Sequence, residues 1–221
     1  MKERIHALAE RIRSWLPTFP QMIAFPIIQT AVYEITNRFS IYGKWFPVYC
    51  RLDEMIPLVK WFIIPYLFWF LYIFGTVILL LIKDRAELRR MIKYFIFAAF
   101  AAYPVVIFYP TTLPLRPDAV SGNDVLSKLL NFIFLADNCN TIFPSFHVIF
   151  AMGPTFALSR TKYFSSRAWK AVLIVITVLI SMSTFMIKQH SVLDVIGALP
   201  FCVIGWLAAY AGAEKTSEVL G

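Results

Sequence analysis

Between residues 61 and 82 the chain carries no charged side chain. A helix of that length crosses the hydrocarbon core of a bilayer, and a water-soluble domain has no place for it. Five more apolar stretches invite the same reading: residues 14–33, broken by Pro17, Pro20 and Pro26, and residues 94–110, 143–159, 171–187 and 191–213. The whole chain is 59% hydrophobic and 15% charged, with a mean hydropathy of +0.68, outside the usual balance of a soluble domain. The sequence therefore predicts an all-α integral membrane protein, a bundle of six transmembrane helices.

Its 221 residues suffice for one polytopic domain. Residues 1–16 set Ile5, Leu8, Ile12, Trp15 and Leu16 on one helical face with Arg and Glu opposite, which predicts an N-terminal amphipathic helix lying in the membrane interface. The six-span bundle then occupies residues 17–213. No short apolar core with a small-residue cleavage site opens the chain, so the first span is expected to direct its own insertion.

Fourteen of the 21 Lys and Arg residues fall in segments that lie inside if both termini are cytoplasmic, and seven fall outside. Basic residues are retained on the cytoplasmic side, which sets that orientation. The same flanking residues, together with anionic lipid head groups, account for the net charge of +8 without any nucleic-acid partner. Cys50, Cys139 and Cys202 lack the spacing of a zinc site or a disulfide framework and read as isolated thiols.

This topology has a consequence for chemistry. Arg116 follows the third span, Ser145 and His147 open the fourth, and Lys188, His190 and Asp194 straddle the start of the sixth, so all six are expected at one extracytoplasmic level. Four residues apart on a helix, His190 and Asp194 share a face, and the carboxylate can fix the imidazole tautomer and leave the other ring nitrogen as a nucleophile. His147, from another helix, can protonate a leaving oxygen. Arg116 and Lys188 can neutralise an oxyanion, and Ser145 adds a donor at a helix N-terminus. Such a group handles phosphate without a metal, so no cofactor is expected, and the expected partner is a membrane lipid.

"LRP" at 115–117, "PSFH" at 144–147 and "HSVLD" at 190–194 resemble, in order and placement, the three signature motifs of the type 2 phosphatidic acid phosphatase superfamily, which includes the vanadium haloperoxidases. The resemblance covers the chain from span three to span six. It implies that His190 attacks phosphorus to give a phosphohistidine, that Asp194 orients it, that His147 protonates the leaving group, and that Arg116 and Ser145 bind phosphate. Three positions depart from the pattern: Tyr109 replaces a lysine, Phe146 a glycine and Thr184 an arginine. "KQHSVLDV" is similar to the branch of inositol phosphorylceramide synthases and related lipid phosphotransferases, in which case Lys188 supplies one of the missing charges.

The expected activity is hydrolysis of a lipid phosphomonoester or pyrophosphate through a phosphohistidine. Transfer of a phospho-head-group between lipids is the alternative, since a phosphoenzyme is discharged by water or by an alcohol. A non-catalytic lipid transporter or binding protein is a second alternative, opposed by the retention of both histidines and Asp194. Zinc held by His147, His190 and Asp194 does not fit a dedicated zinc spacing, and nothing around Ser145 resembles a nucleophile elbow. Asp53 and Glu54 read as an ordinary polar loop, and Trp45, Trp61 and Trp69 as interface anchors.

Overall fold

The computed structural model describes residues 19–212; the interfacial helix expected over residues 1–16 lies outside them. Six principal helices stand where apolar stretches were expected: α1 Phe19–Arg38, α3 Ile63–Lys83, α4 Arg85–Phe108, α6 Phe146–Arg160, α7 Arg167–Met186 and α8 Val192–Tyr210. Two shorter helices, α2 Arg51–Met55 and α5 Val125–Ala136, lie in the connections at one end of the bundle. Two-residue strands β1 (Phe46–Pro47) and β2 (Thr111–Thr112) pair in parallel there, in the register Phe46 to Thr111 and Pro47 to Thr112.

Four helices, α3 with its leading turn, α4, α7 and α8, are long and apolar enough to cross a membrane. Their outward faces carry Phe70, Leu71, Phe74, Ile78, Ile174, Val175, Ile196 and Val203 in exposed positions, where a soluble helix would be polar. The other two differ for physical reasons. Helix α6 has 15 residues and so spans only about 22 Å at 1.5 Å per residue. It is the most enclosed rod of the bundle, with Val148, Ile149, Phe150, Ala151, Ala157 and Leu158 all buried. Helix α1 has the length but includes Gln21, Gln29, Thr30, Glu34 and Asn37.

Element ends follow capping chemistry more than hydropathy. Helix α4 begins at Arg85, well ahead of the apolar run, because the Asp84 carboxylate accepts the Glu87 N–H at 3.1 Å. The added turns bury Glu87 completely, where Arg90 at 2.5 Å and Arg160 at 3.2 Å pair with it. The α3–α4 and α6–α7 turns are thereby fastened together at one basic end of the molecule. Helix α5, absent from the expected set, starts where Asp124 accepts the Ser127 N–H.

The tightest packing joins α4 and α8, and Gly205 makes it possible. A Cβ at that position would stand 2.8 Å from Tyr94 Cδ2 and 2.9 Å from Ala98 Cβ. In a membrane such small residues allow close backbone approach. Gly205→Val is expected to force the two helices apart and destabilise the fold by about 1–3 kcal/mol, read as a lower apparent Tm in detergent. An unchanged Tm would mean that α4 and α8 pack less closely than described.

Candidate active site

At the end of the bundle opposite the basic turns, α6 and α8 begin side by side. Ser145 donates its N–H to the Asp194 carbonyl at 3.1 Å, fastening the two N-termini. Ser191 caps α8, and the Asp194 carboxylate reaches back to the Ser191 N–H at 2.8 Å, a reciprocal capping box. The turn before α8 is held from behind by Thr184, whose carbonyl accepts the N–H groups of Gln189 at 2.9 Å and His190 at 3.0 Å.

These local rules deliver two imidazoles to one point. His190 Nδ1 lies 2.9 Å from the Ile142 carbonyl and 3.2 Å from Asp194 Oδ2. Both partners accept, so Nδ1 carries the proton and Nε2 is left with its lone pair. That lone pair faces His147 Nδ1 across 3.3 Å. His147 is packed in turn against Tyr66 and Trp69, with ring centroids 4.7 and 4.6 Å away, and Trp69 Nε1 donates to the His147 carbonyl at 3.0 Å. Trp69, expected as an interface anchor, helps build this site instead.

Both histidines line a cavity of about 380 Å³, within the size range of small-molecule and head-group sites. Its lining mixes aromatic side chains, among them Tyr33, Tyr66, Phe146 and Phe150, with Asp137, Gln189 and the histidines. Among the described residues no lysine or arginine lines it. Asp137, beyond the end of α5, takes a hydrogen bond from the Tyr33 hydroxyl. Burial lifts its carboxyl above the usual range, against the pull of that hydrogen bond and of the Arg116 charge.

The six residues singled out by sequence are distributed unevenly. His147, His190 and Asp194 come together. Ser145 sits beside them as the N-cap of α6, its hydroxyl fully buried and without a partner among the described residues. Arg116 stands behind the cavity wall: its guanidinium donates to the Asp137 carbonyl at 2.8 Å, to Gln189 Oε1 at 3.1 Å and to the Phe134 carbonyl at 3.3 Å. Lys188 is turned away altogether. Its ammonium donates to the carbonyls of Asp53 at 2.5 Å and Ile56 at 2.6 Å, and its backbone takes the left-handed φ of 62°. Burial lowers its pKa, and the charge of Asp53 partly offsets the effect.

Asp53 is no ordinary loop residue. It is 3% exposed, and its carboxylate accepts from the Cys50 N–H, the Ser191 hydroxyl and the Val192 N–H, at 2.8, 2.7 and 2.8 Å. Gln189 and Asp137 likewise stand at the site without having been expected there. An acidic residue just ahead of a span was a signal for Asp53; nothing in the sequence marked Gln189 apart from its place beside His190.

Cys50, Cys139 and Cys202 are free thiols, that of Cys139 pushed up to about 11 by burial. Among the described residues no three His, Cys, Asp or Glu side chains are grouped as a metal ion would require. A family model described as the PAP2 superfamily matches residues 40–208. No curated protein and no solved structure matches the chain.

Proposed function

Because the chain belongs to the PAP2 superfamily, whose members are phosphoesterases or phosphotransferases, we propose that it is an integral membrane enzyme cleaving a phosphorus–oxygen bond in a lipid head group through a phosphohistidine on His190. The observation that carries this reading is the 3.3 Å contact of His147 Nδ1 with His190 Nε2, beside a His190 Nδ1 committed to Ile142 and Asp194. A phosphoryl group entering between the rings takes the place of that contact. His190 Nε2 attacks phosphorus, the bond to the leaving oxygen breaks, and His147 gives that oxygen its proton. Water then attacks the phosphohistidine while His147 takes a proton back, and phosphate leaves. Asp194 stabilises the charged ring throughout by holding its N–H. No step calls on a metal.

The bundle is read as six crossings, with α6 shielded by its neighbours, both termini cytoplasmic and the site extracytoplasmic. In support, the two turns joined through Glu87 hold Lys83, Arg85, Arg89, Arg90, Arg160 and Lys162, and basic residues stay inside.

A second reading is transfer of the phospho-head-group to a lipid alcohol, and one observation favours it. A phosphomonoester near neutral pH carries a charge of about −1.5 to −2, yet among the described residues the cavity is lined by Asp137 and by no lysine or arginine. The single charge of a phosphodiester fits such a lining better, and the aromatic side chains within it suit an apolar acceptor. The purified protein should be assayed against lipid phosphomonoesters, pyrophosphates and phosphodiesters, with and without a lipid alcohol and a chelator. Hydrolysis releases inorganic phosphate, and transfer yields a new phospholipid visible by mass spectrometry. Activity is expected to survive the chelator. No phosphorus–oxygen cleavage in any arm would reject both readings.

A further inference from the structure

Arginine carries only donors, so the amide atom of Gln189 that meets Arg116 Nη1 at 3.1 Å is its oxygen. The amide nitrogen must then face the other way. Gln189 lines the cavity with His147 and His190, is 2% exposed, and its Nε2 has no acceptor among the described residues. Its backbone is fixed as well, through the N–H donated to Thr184. A buried N–H group left without an acceptor is unfavourable. Held rigid beside a nucleophile, it has the form of a donor oriented in advance toward charge that develops during reaction.

We propose that Gln189 Nε2 donates to a non-bridging oxygen of the phosphoryl group attacked by His190, and that Arg116 is a positioning residue acting through Gln189. This rests on the phosphohistidine reading above and assigns to the site a neutral donor in place of a direct cation. The arrangement follows from charge as well as contact. Arg116 already serves two carbonyls and the Gln189 oxygen, and its guanidinium lies 4.8 Å over the Phe134 ring. A phosphoryl oxygen at the cavity wall meets the amide that Arg116 aims, and the hydrogen bond polarises toward the arginine as negative charge builds on the oxygen.

Gln189→Glu separates this role from a structural one. The variant keeps the side-chain length and offers Arg116 a better acceptor, so a residue that merely secures Arg116 would be improved by it. As a phosphate donor it is ruined, since an N–H becomes an oxygen facing an anion. Expected for the full-length protein are an unchanged or raised apparent Tm, a fall in kcat/KM of roughly 10²-fold, and inhibition by inorganic phosphate weakened at least about tenfold. Gln189→Met, uncharged and without a donor, should lose activity by a similar factor and serves if the glutamate variant does not fold. Wild-type kcat/KM and phosphate inhibition in a folded variant would overturn the proposal while leaving the phosphohistidine reading intact. A wild-type protein that neither turns over any lipid phosphate nor binds inorganic phosphate overturns the reading on which it rests.

Discussion

His190→Ala is expected to lower turnover by roughly 10⁴-fold or more, the scale seen when a nucleophile that works as part of a unit is removed, with the bundle still folded. Among the described residues only His190 Nε2 combines a free lone pair, a fixed tautomer and a place on the cavity wall, and His147 Nδ1 stands 3.3 Å from it. His190 is 8% exposed, so loss of its ring opens a small space in the cavity wall and leaves Asp194 and the Ile142 carbonyl without one donor. Asp194 keeps the Ser191 N–H, which is why the α8 cap should survive. The measurement is single-turnover kinetics with the best lipid substrate, together with a search for acid-labile, base-stable phosphate on the protein. Wild type should accumulate label on His190 and the variant none. Turnover within tenfold of wild type would mean that the phosphoryl group never resides on this ring.

Why the histidines were legible and their supports were not comes down to what a bilayer permits. Ionisable groups at the ends of apolar spans stand out because lipid tolerates them only in company, so His147, His190 and Asp194 could be paired from the sequence alone. The helix pattern was equally open, since twenty apolar residues in a row admit few other structures. The supports depend on how the connections fold back. Lys188 reads as a phosphate ligand by its neighbours, yet the left-handed turn at that residue sends the ammonium to the carbonyls of Asp53 and Ile56, in and just after α2. Arg116 reads as a direct ligand, yet α5 and Gln189 stand between it and the cavity. Asp53 lies well over one hundred residues from Ser191 and Val192, a separation no local pattern reports. Capping moved the helix ends for the same reason: one acceptor at Asp84 or Asp124 outweighs a drop in hydropathy.

A consequence follows for how the site is held. No single helix carries it; the cavity wall depends on three connections meeting over the N-termini of α6 and α8. The β1–β2 pair, the bridge between Thr112 and Asn140, and the Thr141 hydroxyl on the Thr36 carbonyl tie those connections to one another. The turn at residues 187–191, which bears both Gln189 and His190, is fastened through the Thr184 carbonyl, through Lys188 on the Asp53 and Ile56 carbonyls and through Ser191 on the Asp53 carboxylate. That places its control at Asp53 and Lys188, two residues outside the cavity.

Asp53→Ala is accordingly expected to be the most damaging change away from the reacting atoms. It removes the acceptor for three donors, among them the Ser191 hydroxyl and the Val192 N–H at the start of α8, in a position only 3% exposed. Unsatisfied donors at a buried site together with a lost charge-assisted network amount to about 3 kcal/mol. Because the turn bearing His190 loses its fastening, kcat should also fall, by about 10²-fold if the ring shifts by an ångström. The pH dependence supplies an independent check. Burial acts to raise the Asp53 pKa, but the hydrogen bonds from Ser191, Val192 and Cys50 outweigh it and hold the group below 3.8. A carboxyl depressed in the folded state contributes stability that is fully present above its unfolded value and is lost as pH falls through the folded one. The wild-type advantage over Asp53→Ala in apparent Tm should thus be full at pH 7 and shrink below about pH 4. An advantage that stays constant down to pH 3 would show that the Asp53 carboxylate is not what secures the turn.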